Sequence, residues 1–232
     1  MGTARIIYFF AVFFIFSGTA GWESLQSRRI IARSDSGSGQ EPMLKAINAI
    51  FNDPTARKLF LKLRYVLAIV FIVVLARYAD ASLLLPAFAV SLVGEFIQLW
   101  SFASLVKNEQ LTARGPYVLV RNPMYLGRFV LILGLVLLLN NIYLTVTYSV
   151  LYYFYMANRV QREESRLAQL LGEPYLEYCR RTSRFLPSLA GLANPAVWFF
   201  RWDVLRRNNG QWNLLSMLVA YAVLYVYLFY GR

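Results

Sequence analysis

The sequence predicts an all-α integral membrane protein with about six transmembrane helices, among them a helical hairpin, together with interfacial helices. Three observations carry that prediction. Hydrophobic residues are 58% of the 232-residue chain and charged residues 16%, against roughly 25% charged in soluble domains. The 17 Phe, 16 Tyr and 5 Trp present more apolar surface than a soluble globule of this size can hide. Long apolar runs alternate with short basic segments, the pattern of membrane spans and cytoplasmic loops.

The same composition excludes whole function classes. Apolar content this high excludes disorder, and Cys179 as the single cysteine excludes a disulfide scaffold. Histidine is absent, which excludes histidine general bases, histidine-ligated metals and haem, and with one cysteine a structural zinc site as well. No metal is expected. A net charge of +12 raises nucleic-acid binding. The basic residues sit between the apolar runs, however, so the expected partners are membrane lipids and not nucleic acid.

The elements follow in order. Ile6 to Gly21 is the first apolar run, expected to be a retained membrane helix rather than a removed signal. Arg28 to Gln40, rich in Ser and Gly, reads as a flexible basic linker, and Met43 to Phe51 as a helix on the membrane surface. Leu59 to Ala79 is the second span, with Lys62, Arg64 and Arg77 near its ends where long basic side chains snorkel. Ala81 to Val106 is the third, joined through a short turn at Asp80. Leu126 to Leu139 and Ile142 to Ala157 form the fourth and fifth, a hairpin broken at Asn140-Asn141 because two asparagines are costly in hydrocarbon. Asn194-Pro195 reads as the cap and first turn of an interfacial helix that stops at Asn208-Asn209-Gly210, with Trp198, Phe199, Trp202 and Leu205 on one face. Trp212 to Tyr230 is the sixth span. These elements group as 1–58, a membrane core at 59–190, and 191–232.

Charge sets the expected orientation. Segment 107–128 carries Lys107, Arg114, Arg121 and Arg128, and 158–211 is rich in arginine, whereas the turns at Asp80 and Asn140-Asn141 have little positive charge. The two basic segments therefore face the cytoplasm, with both termini on the opposite side.

Without histidine, chemistry falls to carboxylates, tyrosines, arginines and backbone groups. The densest cluster runs from Arg114 to Gly127, with two glycines and two prolines that fix turns just before the fourth span. Pro123 after Asn122 suits a helix start, whose free N–H groups favour an anion; a plain membrane-entry turn with interfacial tyrosines fits the same residues. A second cluster, Arg159 to Leu167, holds Glu163 and Glu164, about 100° apart on a helix. Such carboxylates suit an ammonium or a pair of ribose hydroxyls, or else belong to a solvated helix with an Arg159–Glu163 pair. Leu171-Gly172 reads as the helix C-cap. In a third cluster Arg180, Arg181 and Arg184 return the chain to the bilayer, where they also suit lipid phosphates. Glu95 is an acid inside the third span, with Arg121 or Arg128 as its expected partner. Cys179 has no general base beside it and reads as a buried or interfacial residue.

The ordered set Gly-Pro-Tyr (115–117), Arg-Asn-Pro-Met-Tyr-Leu-Gly (121–127), an apolar hairpin, Glu-Glu-Ser-Arg-Leu (163–167), Leu-Gly-Glu-Pro-Tyr-Leu-Glu-Tyr (171–178) and Arg-Phe-Leu-Pro (184–187) resembles the isoprenylcysteine carboxyl methyltransferase family. That family is similar in turn to the membrane phospholipid N-methyltransferases. The resemblance runs from about Ser91 to Pro187. It implies an S-adenosylmethionine-dependent methyltransferase whose cofactor lies near the cytoplasmic surface, between 115–125 and the Glu163–Glu164 helix. Gly115, Tyr117, Val120, Asn122, Pro123, Tyr125 and Leu126 would line the cofactor, and Glu163 or Glu164 would hold its ammonium or ribose. Arg121, Glu164 and Arg184 would carry catalysis, the two arginines orienting an anionic acceptor. That acceptor would be a lipid or lipidated molecule bearing a carboxylate, amine or phosphate. The family's usual Arg-His-Pro-x-Tyr has Asn122 at the histidine position, which keeps hydrogen bonding and excludes titration. Methyl transfer from a sulfonium rests on in-line positioning, so absent histidines are compatible with it. Two other readings compete: a nicotinamide-dependent membrane reductase resembling the sterol reductases, and a non-enzymatic membrane scaffold.

Overall fold

The computed structural model describes residues 54–105 and 111–231. The expected first span, basic linker and surface helix lie outside the described residues, as do Val106 and Lys107. The chain divides into two units, Met1–Val70 and Phe71–Arg232. Helix α1 (Pro54–Tyr78) begins in the first and ends in the second. The second unit holds α2 (Leu84–Ser104), α3 (Pro123–Leu137), α4 (Ile142–Leu171), α5 (Glu173–Arg181), α6 (Trp202–Arg207) and α7 (Gly210–Tyr230), with 3₁₀ turns at Ala81–Leu83, Gly115–Val118, Leu189–Ala193 and Pro195–Trp198. Every regular element among the described residues is helical.

Among these, Ala81–Ser104 and Gly210–Tyr230 are long and apolar enough to cross a bilayer. Twenty-one residues of α7 rise about 32 Å, matching a hydrocarbon core of about 30 Å. Helix α3 has 15 residues, about 22 Å, and falls short of that thickness. Helix α4 has 30 residues, about 45 Å. The expected fifth span is thus the first half of one continuous helix that carries Arg159 to Leu171 beyond it.

Small residues set how the elements pack. A Cβ built on Gly94 would lie 2.3 Å from the Leu131 nitrogen and 2.6 Å from the Gly127 carbonyl, and one on Gly134 would lie 2.2 Å from Ser91 Oγ. The α2 and α3 backbones therefore meet along a Gly94–Gly127–Gly134 seam, the close approach by which helices associate where lipid removes the hydrophobic drive. Helix α7 joins α2 through Ser91 Oγ and Tyr221 Oη at 2.6 Å, with Tyr221 also donating to the Ala87 carbonyl at 3.1 Å. On α4, Tyr148 stacks on Phe129 of α3 with ring centroids 5.6 Å apart. The outward sides of α2, α4 and α7 expose Val93, Phe96, Val146, Val150, Leu215 and Phe229. Apolar faces this continuous belong against lipid.

The turns follow the sequence closely. Asp80 caps the 3₁₀ turn at Ala81–Leu83, its Oδ1 accepting from the Ser82 nitrogen at 2.9 Å. Asn140 takes a left-handed φ of 47° and donates to Asp80 Oδ2 at 2.9 Å. Asn141 caps α4 by accepting from the Leu144 nitrogen. Gly172 ends α4 as the C-cap its position predicts, with φ of 62° and ψ of −142°, a backbone conformation open to glycine rather than the usual αL cap.

The single interfacial helix expected from Asn194 to Asn208 is corrected to two short pieces. Asn194 does cap Pro195, but only for the turn Pro195–Trp198. The Phe199 carbonyl is then taken by Trp100 Nε1 at 3.2 Å and Ser104 Oγ at 3.1 Å, and the Arg201 nitrogen donates to the Ala103 carbonyl. Tertiary hydrogen bonds to the end of α2 thus replace the helical ladder across 199–201. Asn208 adds to them, donating to the carbonyls of Phe102 and Leu105 at 2.8 and 2.9 Å, so the residue read as a stop satisfies the last carbonyls of α2. The expected shared face does not form: Trp198 and Trp202 are exposed while Leu205 is buried with Leu99, Phe102 and Ala103.

Candidate functional site

The site lies at the opposite end of the α3–α4 hairpin from the Asp80–Asn140 turns. Pro123 starts α3, leaving Asn122 at the cap position with φ −126° and ψ 56° and no capping bond from its side chain. That side chain is engaged elsewhere: Asn122 Nδ2 donates to Glu164 Oε1 at 3.2 Å and lies 3.4 Å from the Arg184 carbonyl. The expected cofactor cluster and the expected carboxylate helix therefore meet, across 42 residues of sequence.

Glu164 is the centre of this meeting. It is buried, and Arg184 Nε and Nη2 reach its Oε2 at 2.9 and 2.8 Å, while Arg121 Nη1 lies 3.3 Å from Oε1. Three side chains from two segments hold one carboxylate. Backbone pairing brings those segments together: the Arg121 nitrogen donates to the Ser183 carbonyl and the Ser188 nitrogen to the Leu119 carbonyl, both at 2.9 Å. A buried carboxylate survives in such a place because cations and hydrogen bonds replace its water.

Glu163 has a different environment. It is exposed, and the Tyr125 hydroxyl donates to its Oε2 at 2.8 Å. Arg159 Nε in turn donates to that hydroxyl at 2.7 Å. The expected Arg159–Glu163 pair is thus bridged by a phenol rather than closed directly. Tyr152 Oη donates to the Tyr125 carbonyl at 2.8 Å and fixes the first turn of α3 against α4.

The remaining expected residues have other surroundings. Gly115 packs against Ser104 of α2. Tyr117 is buried, and its carbonyl accepts from Tyr178 Oη at 2.8 Å; burial pushes both phenols above their ordinary range, so each remains a neutral donor. Val120 and Pro123 are buried, and Leu126 lies on the first turn of α3. The structure therefore brings Arg121, Asn122, Tyr125, Glu163, Glu164 and Arg184 together, and gives Gly115, Tyr117 and Val120 supporting positions beneath them. Two expectations change. Arg121, proposed as the partner of Glu95, pairs with Glu164, and Arg128 closes no ion pair with Glu95, whose Oε1 has no hydrogen-bond partner. Arg121 and Arg184, expected to face an acceptor, both hold Glu164. Tyr152 and Tyr178 are the residues of this cluster to which the sequence gives no role of their own; the aromatic run 152–155 and the motif 171–178 are their only signals.

A family model for phospholipid methyltransferases matches residues 81–174. The chain is 32% identical over 97 residues to the protein-S-isoprenylcysteine O-methyltransferase of Homo sapiens, covering 40% of this chain and 34% of that protein. It is 31% identical over 81 residues to the Schizosaccharomyces pombe protein of the same name, covering 35% of this chain and 34% of that one. It is 30% identical over 127 residues to the cobalt-zinc-cadmium resistance protein CzcN of Cupriavidus metallidurans, covering 53% of this chain and 58% of that protein. The chain thus spans about a third of the length of the two isoprenylcysteine methyltransferases. No solved structure matches it. The matched segment contains the α2–α3–α4 core with Arg121, Asn122, Tyr125, Glu163 and Glu164, and it is over residues 81–174 that the chain is similar to the phospholipid methyltransferases.

Proposed function

We propose that this chain is a multi-pass membrane methyltransferase that uses S-adenosylmethionine and acts on a lipid or lipid-modified acceptor entering from the bilayer, with its site facing the cytoplasm. The observation that carries this reading is the convergence of the Arg121–Tyr125 segment, the Glu163–Glu164 turn of α4 and Arg184 inside the family-matched region. The division into 1–58, 59–190 and 191–232 belongs to the same proposal, the middle part being the methyltransferase core.

The residues present fit the cofactor's chemistry. Glu163 is exposed and accepts from one phenol, which leaves lone pairs for an ammonium or for ribose hydroxyls. Glu164 already has donors from Arg121, Asn122 and Arg184, so we assign it to holding the site together and Glu163 to the cofactor. When bound, S-adenosylmethionine supplies a methyl group activated by its sulfonium charge. The protein's part is to position: Tyr125 orients Glu163, Asn122 locks α3 to α4 without titrating, and the buried phenols of Tyr117 and Tyr178 remain protonated. In-line placement of this kind is enough to account for most of a methyl-transfer rate.

Calorimetry with detergent-purified protein tests the reading. S-adenosylmethionine should bind in the micromolar range and NADPH should not. NADPH binding alone would move the protein to the reductases, and binding of neither to folded protein would favour a scaffold.

A further inference from the structure

Arg128 is the cation that the site leaves unanswered. It lies on α3, three residues beyond Tyr125 and thus on the same helix face about one turn further in. Glu95 on α2 and Tyr148 and Tyr152 on α4 lie within its electrostatic reach. None of them closes a hydrogen bond with it. Tyr148 donates to the Phe129 carbonyl and Tyr152 to the Tyr125 carbonyl. Glu95 Oε1 has no partner, Gln98 being the group beside its other oxygen at 3.4 Å. Arg128 Nε is buried without a hydrogen-bond partner, and among the described residues the side chain enters no ion pair.

The neighbouring cations are engaged. Arg121 and Arg184 hold Glu164, and Arg159 holds the Tyr125 hydroxyl. An arginine within an apolar helix is costly unless something compensates its charge. A structural role would have closed the ion pair with Glu95, and the orphaned atoms on both sides show that it is not closed. We propose that Arg128, rather than Arg121 or Arg184, receives the anionic group of the membrane-borne acceptor, a carboxylate or phosphate oxygen, and so sets which end of that molecule faces the methyl donor. The assignment rests on the methyl-transfer reading and adds the residue that orients the acceptor.

The test uses four probes with the full chain in detergent: S-farnesyl-N-acetylcysteine and its neutral carboxamide for the carboxylate, and dioleoyl phosphatidic acid and dioleoylglycerol for the phosphate. The wild type should bind one anionic probe about tenfold more tightly than its neutral counterpart, and the pair showing the preference identifies the oxyanion. Arg128→Gln should abolish the preference while S-adenosylmethionine binds as in the wild type. Arg128→Lys should retain part of it, as a point charge without the planar fork. Because nothing pairs with Arg128, the Gln variant should unfold no earlier than the wild type, unlike a variant that breaks an ion pair. A preference that survives in Arg128→Gln overturns the assignment, as does a wild type that binds S-adenosylmethionine but prefers neither anion. A wild type that fails to bind S-adenosylmethionine removes the methyl-transfer reading itself, and that arm reports the failure separately.

Discussion

The α3–α4 hairpin ends in two polar clusters built on opposite plans. At the turn end Asp80, Ser82, Asn140 and Asn141 use their side chains on each other and on nearby backbone. One charge is present, it is exposed, and each of these bonds serves a helix end. At the other end Arg121, Arg159 and Arg184 gather about Glu163 and Glu164, and Arg128 lies one turn further along α3 beside Glu95, with buried nitrogens of Arg121 and Arg128 left without hydrogen-bond partners. The first cluster is complete as a piece of structure. The second carries more positive charge than its own carboxylates answer, the condition expected of a place that receives a ligand from outside. Within it Glu164 is structural in the same sense as Asp80, while Glu163 and Arg128 have capacity to spare.

The largest effect should come from removing the carboxylate that holds the charged end together. Glu164→Ala leaves Arg121, whose side chain is 14% exposed, without its anion, and breaking a buried pair costs about 3 kcal/mol. For a chain of this size that corresponds to a fall in Tm of roughly 10 °C, read by thermal unfolding in detergent. Cofactor binding should be lost with it. An unchanged Tm would show that the arginines relax into solvent and that the two clusters are less different than their geometry.

Next come the glycines of the α2–α3 seam, one near each end. Gly127→Ala places a Cβ 2.7 Å from the Gly94 carbonyl, and Gly134→Ala one 2.5 Å from the Ala87 carbonyl. Backbone cannot move aside as a side chain can, so each should cost about 1–3 kcal/mol. The comparison lies in what else is lost. Gly127→Ala displaces the turn that carries Tyr125 and should also weaken S-adenosylmethionine binding, whereas Gly134→Ala should lower Tm alone. Equal losses of binding would mean that the site depends on the whole hairpin rather than on its charged end.

Glu163→Gln should act in reverse, leaving Tm within a degree or two while S-adenosylmethionine affinity falls about tenfold, near 1.4 kcal/mol. Tyr125 can still donate to the amide oxygen, so the bridge from Arg159 survives and the charge alone is tested.

How much of this the sequence discloses depends on the range of the forces involved. The capping bonds of Asp80, Asn141 and Gly172 reach no further than four positions along the chain, and each is legible as a cap or turn. The break at Phe199 is not, because its cause is Trp100 and Ser104, nearly a hundred residues away. Nor is the pairing of Glu164 with Arg121 and Arg184, which depends on the 183–188 segment lying along 119–121. The ordered motifs named residues that the structure brings together, but which glutamate is enclosed and which arginine is left over become visible only in three dimensions.

The smallest expected effect belongs to the turn end, and pH exposes it. Hydrogen bonds from the Ser82 hydroxyl and backbone nitrogen hold the Asp80 carboxyl below its ordinary value, with Asn140 adding to them. A depressed folded-state pKa gives stability that is present above the unfolded value, near 3.9, and is lost as pH falls through the folded one. The wild type should therefore show a fall in Tm below about pH 4 to which Asp80 contributes. Asp80→Asn should flatten that part of the curve, lower Tm slightly at neutral pH, and leave S-adenosylmethionine binding unchanged. Altered cofactor binding in Asp80→Asn would couple the two ends of the hairpin, and the turn would then be part of the site's machinery rather than its scaffold.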